Sequence, residues 1–117
     1  MRPIFNRSGH VCAWLRDDSV FCHNGAAIAF LHQTDVISYR GNYLGSFSRG
    51  YFRDRRGAPV AWMEHATGGP VLLIPAPLPD PPVPDIIPER PSLPVSPVRS
   101  VDSLLWSRLT WDNFLDT

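Results

Sequence analysis

Between residues 4 and 63, short apolar runs come in pairs, and each pair is split by a polar stretch ending in glycine. The segments IFNRSGHVCAWL (4–15), VFCHNGAAIAFL (20–31), VISYRGNYLGSF (36–47) and FRDRRGAPVAWM (52–63) align, with Gly9, Gly25, Gly41 and Gly57 sixteen residues apart. Four residues after each glycine stands a small residue: Ala13, Ala29, Gly45 and Ala61. A fixed period of this kind marks a repeat architecture. Apolar runs of four or five residues around a glycine turn predict one β-hairpin per repeat. Asn24-Gly25 predicts a type I′ turn, which needs positive φ at both central residues. The linkers Arg16–Ser19, His32–Asp35 and Ser48–Tyr51 are short and polar, so successive hairpins must be neighbours. Parallel pairing is excluded, because its crossovers need a dozen or more residues.

Pairing outward from two-residue turns sorts the side chains onto two faces. Ile4/Ala13/Leu15, Val20/Ala29/Leu31, Val36/Gly45/Phe47 and Phe52/Ala61/Met63 share one face, assigned to a centre that admits only small residues where the hairpins converge. Phe5/Cys12/Trp14, Phe21/Ile28/Phe30, Ile37/Leu44/Ser46 and Arg53/Val60/Trp62 share the other. That second face is too apolar to meet water, so something must cover it. Its rings Phe5, Trp14, Phe21, Phe30 and Trp62 are the candidate interaction surface.

The repeats end in a loop, His65–Pro70, and Val71–Ile74 is predicted as an extra edge strand. Eleven of the thirteen prolines then fall between Pro70 and Pro97. Pro79, Pro82, Pro88, Pro91, Pro94 and Pro97 follow a three-residue period, which in polyproline II places them along one edge. Fully extended, residues 79–97 would reach roughly 55 Å. Such a stretch is either a ligand for an aromatic-lined groove or a stiff spacer. Residues 100–117 are predicted as an amphipathic helix capped by Ser100 or Asp102. Val101, Leu104, Leu105, Leu109, Trp111, Phe114 and Leu115 form its apolar side, and Trp106 and Trp111 join the candidate surface. The expected organisation is a four-hairpin domain (1–74), a proline-rich arm (75–99) and this C-terminal helix (100–117).

Composition adds limits. At 117 residues one domain fits, and the formal charge is zero, so no global field selects nucleic acid or a membrane. All eleven basic residues are arginine. Arg40, Arg49, Arg53, Arg55 and Arg56 cluster in the third and fourth repeats, either as a phosphate-meeting patch or as a solvated edge. Two cysteines, Cys12 and Cys22, make no disulfide framework. No signal peptide or run of about 18 apolar residues is visible, so a cytoplasmic location is expected. Chemistry is sparse. Cys12, His10 and His23 have zinc-type donors without ligand spacing. Asp17-Asp18 and Asp35 suit turns and caps. Gly68-Gly69-Pro70 lacks the lysine and helix of a phosphate loop. No catalytic residue, cofactor or metal site is expected.

The units VISYRGNYLGSF and VFCHNGAAIAFL, with IFNRSGHVCAWL and the segment around Gly57, resemble the 4-fold beta flower domain, a small bacterial domain of four hairpins about a pseudo-fourfold centre. The resemblance covers residues 4–63. It implies a mainly β fold and carries no catalytic residues with it. Arg53 departs from it, standing where the other repeats have Phe5, Phe21 and Ile37. MORN-type hairpin repeats are a looser match. A non-catalytic interaction or assembly module is the expected function, joined to a protein partner or a second copy through arm and helix. Small-ligand or carbohydrate binding on the aromatic face and nucleic-acid binding through Arg40–Arg56 are the alternatives.

Overall fold

A computed structural model describes residues Met1–Thr117. Eight antiparallel strands close into a barrel: β1 (Arg2–Asn6), β2 (Val11–Arg16), β3 (Ser19–Phe21), β4 (Ala27–His32), β5 (Asp35–Ser38), β6 (Tyr43–Ser48), β7 (Tyr51–Arg53) and β8 (Pro59–Trp62). Each strand pairs with its neighbours in sequence, and β1 returns to β8 through Phe5↔Trp62 and Asn6↔Ala61. Closure removes every sheet edge. The predicted edge strand at 71–74 therefore has nothing to pair with, and Val71–Ile74 is irregular.

The hairpin turns are one residue longer than expected. In each repeat the glycine N–H donates back to the residue three before it, as from Gly9 to Asn6 O (3.0 Å) and from Gly57 to Asp54 O (3.0 Å). The N–H of that earlier residue donates forward to the carbonyl of the residue after the glycine, as from Asn6 to His10 O (2.8 Å). Only the glycine has positive φ: +83°, +91°, +93° and +84° at Gly9, Gly25, Gly41 and Gly57. This is a three-residue loop with a left-handed glycine in last place, not the type I′ turn predicted at Asn24-Gly25. A side-chain acceptor helps close the turns. Asn6 Oδ1 accepts from Ser8 and His10 N–H, and Asp54 Oδ1 from Arg56 and Ala58 N–H. Positive φ at two successive residues occurs instead in the linker Arg49-Gly50, between hairpins.

Each hairpin also carries one extra residue in its second strand. Ile4 pairs with Ala13, but Phe5 pairs with Val11, and the same slip follows Val20, Val36 and Phe52. A bulge bends its strand and re-aims the extra side chain. Cys12, Ile28, Leu44 and Val60 accordingly pack on the central cluster, not on the second face where two-residue turns would have put them. The centre holds Ile4, Val20, Val36 and Phe52 with Ala13, Ala29 and Ala61. Gly45 fits there because an added Cβ would lie 1.9 Å from Arg53 O and 3.0 Å from the Phe114 ring.

Most of the C-terminal segment is not helical. The helix α1 spans only Trp111–Leu115, with Thr110 as N-cap, its Oγ1 accepting from Asn113 N–H. The broader helix over 100–117 is excluded by the path of the chain, which leaves Val101, Leu104 and Leu105 exposed. Trp111 and Phe114 plug the barrel, Phe114 fully buried and Trp111 edge-on to Phe52 at 5.5 Å.

Candidate functional site: the arm and the clefts beside it

The proline-rich arm meets the four hairpin turns in order. An added Cβ on Gly9 would touch Ile74 O, on Gly25 Val83 O, on Gly41 the Pro91 ring, and on Gly57 Val101 O. Three turns bind the arm by one backbone hydrogen bond each: Ala76 N–H to Gly9 O (2.9 Å), Asp85 N–H to Gly25 O (2.8 Å) and Ser103 N–H to Gly57 O (3.0 Å). The donors lie nine and eighteen residues apart, so the missing partner of Gly41 falls at position 94. Position 94 is Pro94, which has no N–H to give. The arm thus runs as a belt with a nine-residue step matched to the sixteen-residue step of the barrel. Its prolines divide accordingly. Pro82, Pro91 and Pro94 are half-buried against the barrel, while Pro79, Pro88 and Pro97 face outward.

Arg53 fastens the belt. Its guanidinium donates to Gly57 O (2.8 Å), to Gly68 O where the arm begins (2.9 Å) and to Ser103 O where it ends (2.8 Å). Asp102 lies 3.6 Å from its Nε. The side chain is 1% exposed, and burial lowers its pKa, with Asp102 opposing that shift. Nε makes no hydrogen bond, so the three carbonyls and the nearby Asp102 carboxylate are what offset the cost of burying this cation. Arg53 is therefore no irregularity of the fourth hairpin but the group that holds both ends of the arm. Its hydrocarbon stem fills the position that Phe5, Phe21 and Ile37 occupy in the other repeats.

The rings expected to form an open contact face are covered by the chain itself. Phe5, Phe21 and Phe30 have no exposure, and Trp14, Trp62 and Trp111 are also buried; Trp106 is half-buried. Phe5 stacks on Trp62 at 4.5 Å, under Ala66, Leu72 and Trp106. Trp62 Nε1 donates to Asn6 O (2.8 Å), whereas Trp14 Nε1 has no partner. Arg90 of the arm lies over Phe30 at 4.7 Å. Ala66, Leu72, Arg90 and Trp106 thus supply part of the cover that the second face requires, and the buried rings present no open aromatic platform.

The arginine cluster is similarly divided. Arg53 is buried, Arg40 donates to Leu115 O (3.4 Å) and pairs with Asp116 (3.7 Å), and Arg55 donates to Tyr43 O (2.6 Å). Arg49 sits against Gly68 at the root of the arm. His10 does not join Cys12 and His23, and no group of three His, Cys, Asp or Glu side chains is arranged to hold a metal. Burial pushes the Cys12 thiol up, with only partial relief from a backbone hydrogen bond.

Two cavities flank the irregular stretch Ser107–Leu109. One, of about 500 Å³, lies between the first two hairpin turns and α1 and is lined by Cys12, His23 and Asp112 among others. The second, of about 580 Å³, opens between the fourth hairpin and Trp106–Leu109. The length of the tail between Arg99 and Thr110 positions both, and no short motif in the sequence signals either one.

A closed barrel of four β-hairpins, plugged by its own C-terminal helix and belted by its own arm, defines a repeat-built β protein with one pseudo-symmetry centre. The chain belongs to the 4-fold beta flower proteins, whose family model matches residues 2–115. That match takes in the arm and the plug as well as the barrel. No curated protein and no solved structure gave a significant match to the chain. No helix is long and apolar enough to cross a membrane.

Proposed function

We propose that this protein is a non-catalytic assembly module whose contact surface is the outer edge of the proline-rich arm, and whose partner is a second copy of the chain. One observation carries the reading. Of the fourteen exposed large hydrophobic residues, thirteen lie between Val71 and Leu105, and the other is Met1. Ile86 (93% exposed), Val95 (93%) and Val98 (97%) are almost wholly in water. Aliphatic side chains so exposed and so concentrated mark a contact surface. They share the arm with the outward Pro79, Pro88 and Pro97, whose stiff backbone loses little freedom on docking. The same row on two copies is self-complementary, as a twofold contact requires.

The polar interior supports a non-catalytic role. Asp54 closes its turn and holds Ser107, and Arg53 holds the arm, so the buried polar groups serve the fold. The same reading places the protein in the cytoplasm, supported by Cys12 and Cys22, both free thiols. Sedimentation equilibrium over a wide concentration range tests the assembly. The native chain is expected to associate, and the double variant Val83→Asp/Ile86→Asp to remain a folded monomer. A native chain that stays monomeric throughout, or a variant that associates equally well, overturns the reading.

A further inference from the structure

The cavity beside the fourth hairpin has a composition that the assembly reading leaves unused. Its apolar wall is Leu44, Ala58, Leu109 and Trp106, and its rim carries Arg55, Arg56 and Arg108. At about 580 Å³ it falls in the size range of small-molecule sites. We propose that this cavity binds a small molecule through a phosphate group, held by Arg55, Arg56 and Arg108, with the body of the ligand against Trp106.

Charge is the first support. The ion pairs of the chain engage Arg40, Arg53, Arg90 and Arg99. The three arginines of the rim are in none of them. The one acidic side chain in the wall, Asp54, is already committed. Its Oδ1 accepts from Arg56 and Ala58 N–H, and its Oδ2 is bonded to the Ser107 hydroxyl. It is buried at 9% exposure and makes no ion pair with any of the three guanidiniums. Thr117, the last residue of the chain, also lines the cavity without an ion pair to the three arginines. In a chain of zero net charge, three cations without acidic partners around one cavity form a local site for an anion.

The choice of phosphate follows from geometry. A carboxylate is matched by one guanidinium fork, whereas a phosphate offers three oxygens and up to two charges to several forks. Arg55 is already oriented, since its Nη2 donates to Tyr43 O and its guanidinium lies 5.8 Å from the Tyr43 ring. Arg56 and Arg108 are exposed and free to swing over the opening. Trp106 is half-buried, with Tyr51 edge-on at 6.4 Å and Arg7 at 5.9 Å. The indole is thereby held in the cavity wall, where the body of a ligand can pack against its apolar surface.

Titration calorimetry on the full chain, with indole fluorescence as second readout, tests the site with inorganic pyrophosphate, adenosine diphosphate and adenosine. Both phosphate probes are expected to bind and adenosine not to. Adenosine diphosphate binding more tightly than pyrophosphate assigns the site to a nucleotide-like ligand; equal binding assigns it to the phosphate alone. Arg56→Gln/Arg108→Gln should weaken either by roughly tenfold or more, the effect of losing charge-assisted hydrogen bonds. Arg16→Gln, an exposed arginine elsewhere, should leave binding unchanged. Both Arg56 and Arg108 are exposed, so the double variant should unfold at the native temperature, which shows that any loss is local. Absence of binding by both phosphate probes overturns the proposal, as does equal weakening by Arg16→Gln and by the double variant.

Discussion

The barrel and the arm are ordered by opposite means. In the barrel, side chains decide. Ile4, Val20, Val36 and Phe52 are wholly buried, and the sixteen-residue period exists because each hairpin must deliver the same side chains to one centre. In the arm, the backbone decides. Residues 71–105 expose most of their aliphatic side chains and form no regular secondary structure, yet they meet the four turns at steps of eight to ten residues. Burial is non-directional and needs area, while a single hydrogen bond needs only a carbonyl at the right spacing. A chain too short to build a large core can therefore add order by wrapping itself at regular points.

The largest effects are expected where side chains decide. Phe114→Ala should cost about 3–5 kcal/mol, since it empties the centre of a closed barrel. Chemical denaturation would measure it, and a cost under about 1 kcal/mol would mean that α1 does not plug the barrel. Arg53→Gln should follow at about 2–4 kcal/mol, because it leaves the carbonyls of Gly57, Gly68 and Ser103 short of donors. Unlike Phe114→Ala, it should also open the arm to protease while the barrel stays folded. Equal protease sensitivity in native chain and variant would show that Arg53 does not fasten the arm.

The turn glycines separate arm contact from turn strain. Gly41→Ala should cost roughly 1–2 kcal/mol for left-handed backbone alone, since its Cβ meets only the Pro91 ring at 3.5 Å. Gly25→Ala should cost more, because its Cβ would lie 2.1 Å from Val83 O and push the arm away. Equal costs at the two positions would remove the arm from the account. Alkaline pH gives the smallest and most gradual effect. Burial raises the pKa of Cys12, Tyr43 and Tyr51. Each raised group stabilises the fold fully below its unfolded pKa and loses that contribution as pH rises toward its folded value. Stability should therefore decline from about pH 8.5, where an unfolded thiol ionises, and more steeply above about pH 10, where unfolded tyrosines do. A flat profile between those values would show that Cys12 is not held as the thiol, and Cys12→Ala should remove the earlier part of the decline.

The sequence period revealed the hairpins, their order and the small central residues, because those are consequences of side-chain size at fixed spacing. It misplaced Cys12, Ile28, Leu44 and Val60, because a bulge leaves no mark in an apolar run. It read the prolines at a step of three, although Pro79, Pro88 and Pro97 also stand nine apart, as do Ile74 and Val83, with Val101 on the same step. That longer period was present in the chain and became meaningful only against the carbonyls of the turns. Arg53 departs from the repeat pattern, and the two partners that explain it lie 15 and 50 residues away. The cavity beside Trp106 could not be read at all, since Arg55 and Arg108 are joined only by the path of the belt.

Native-state hydrogen exchange on the arm tests the central claim most directly. If the arm is a belt clasped at regular points, the amide protons of Ala76, Asp85 and Ser103 should exchange far more slowly than those of exposed neighbours such as Ile86 and Val95. Uniform exchange at unprotected rates from residue 76 to residue 103 would contradict it.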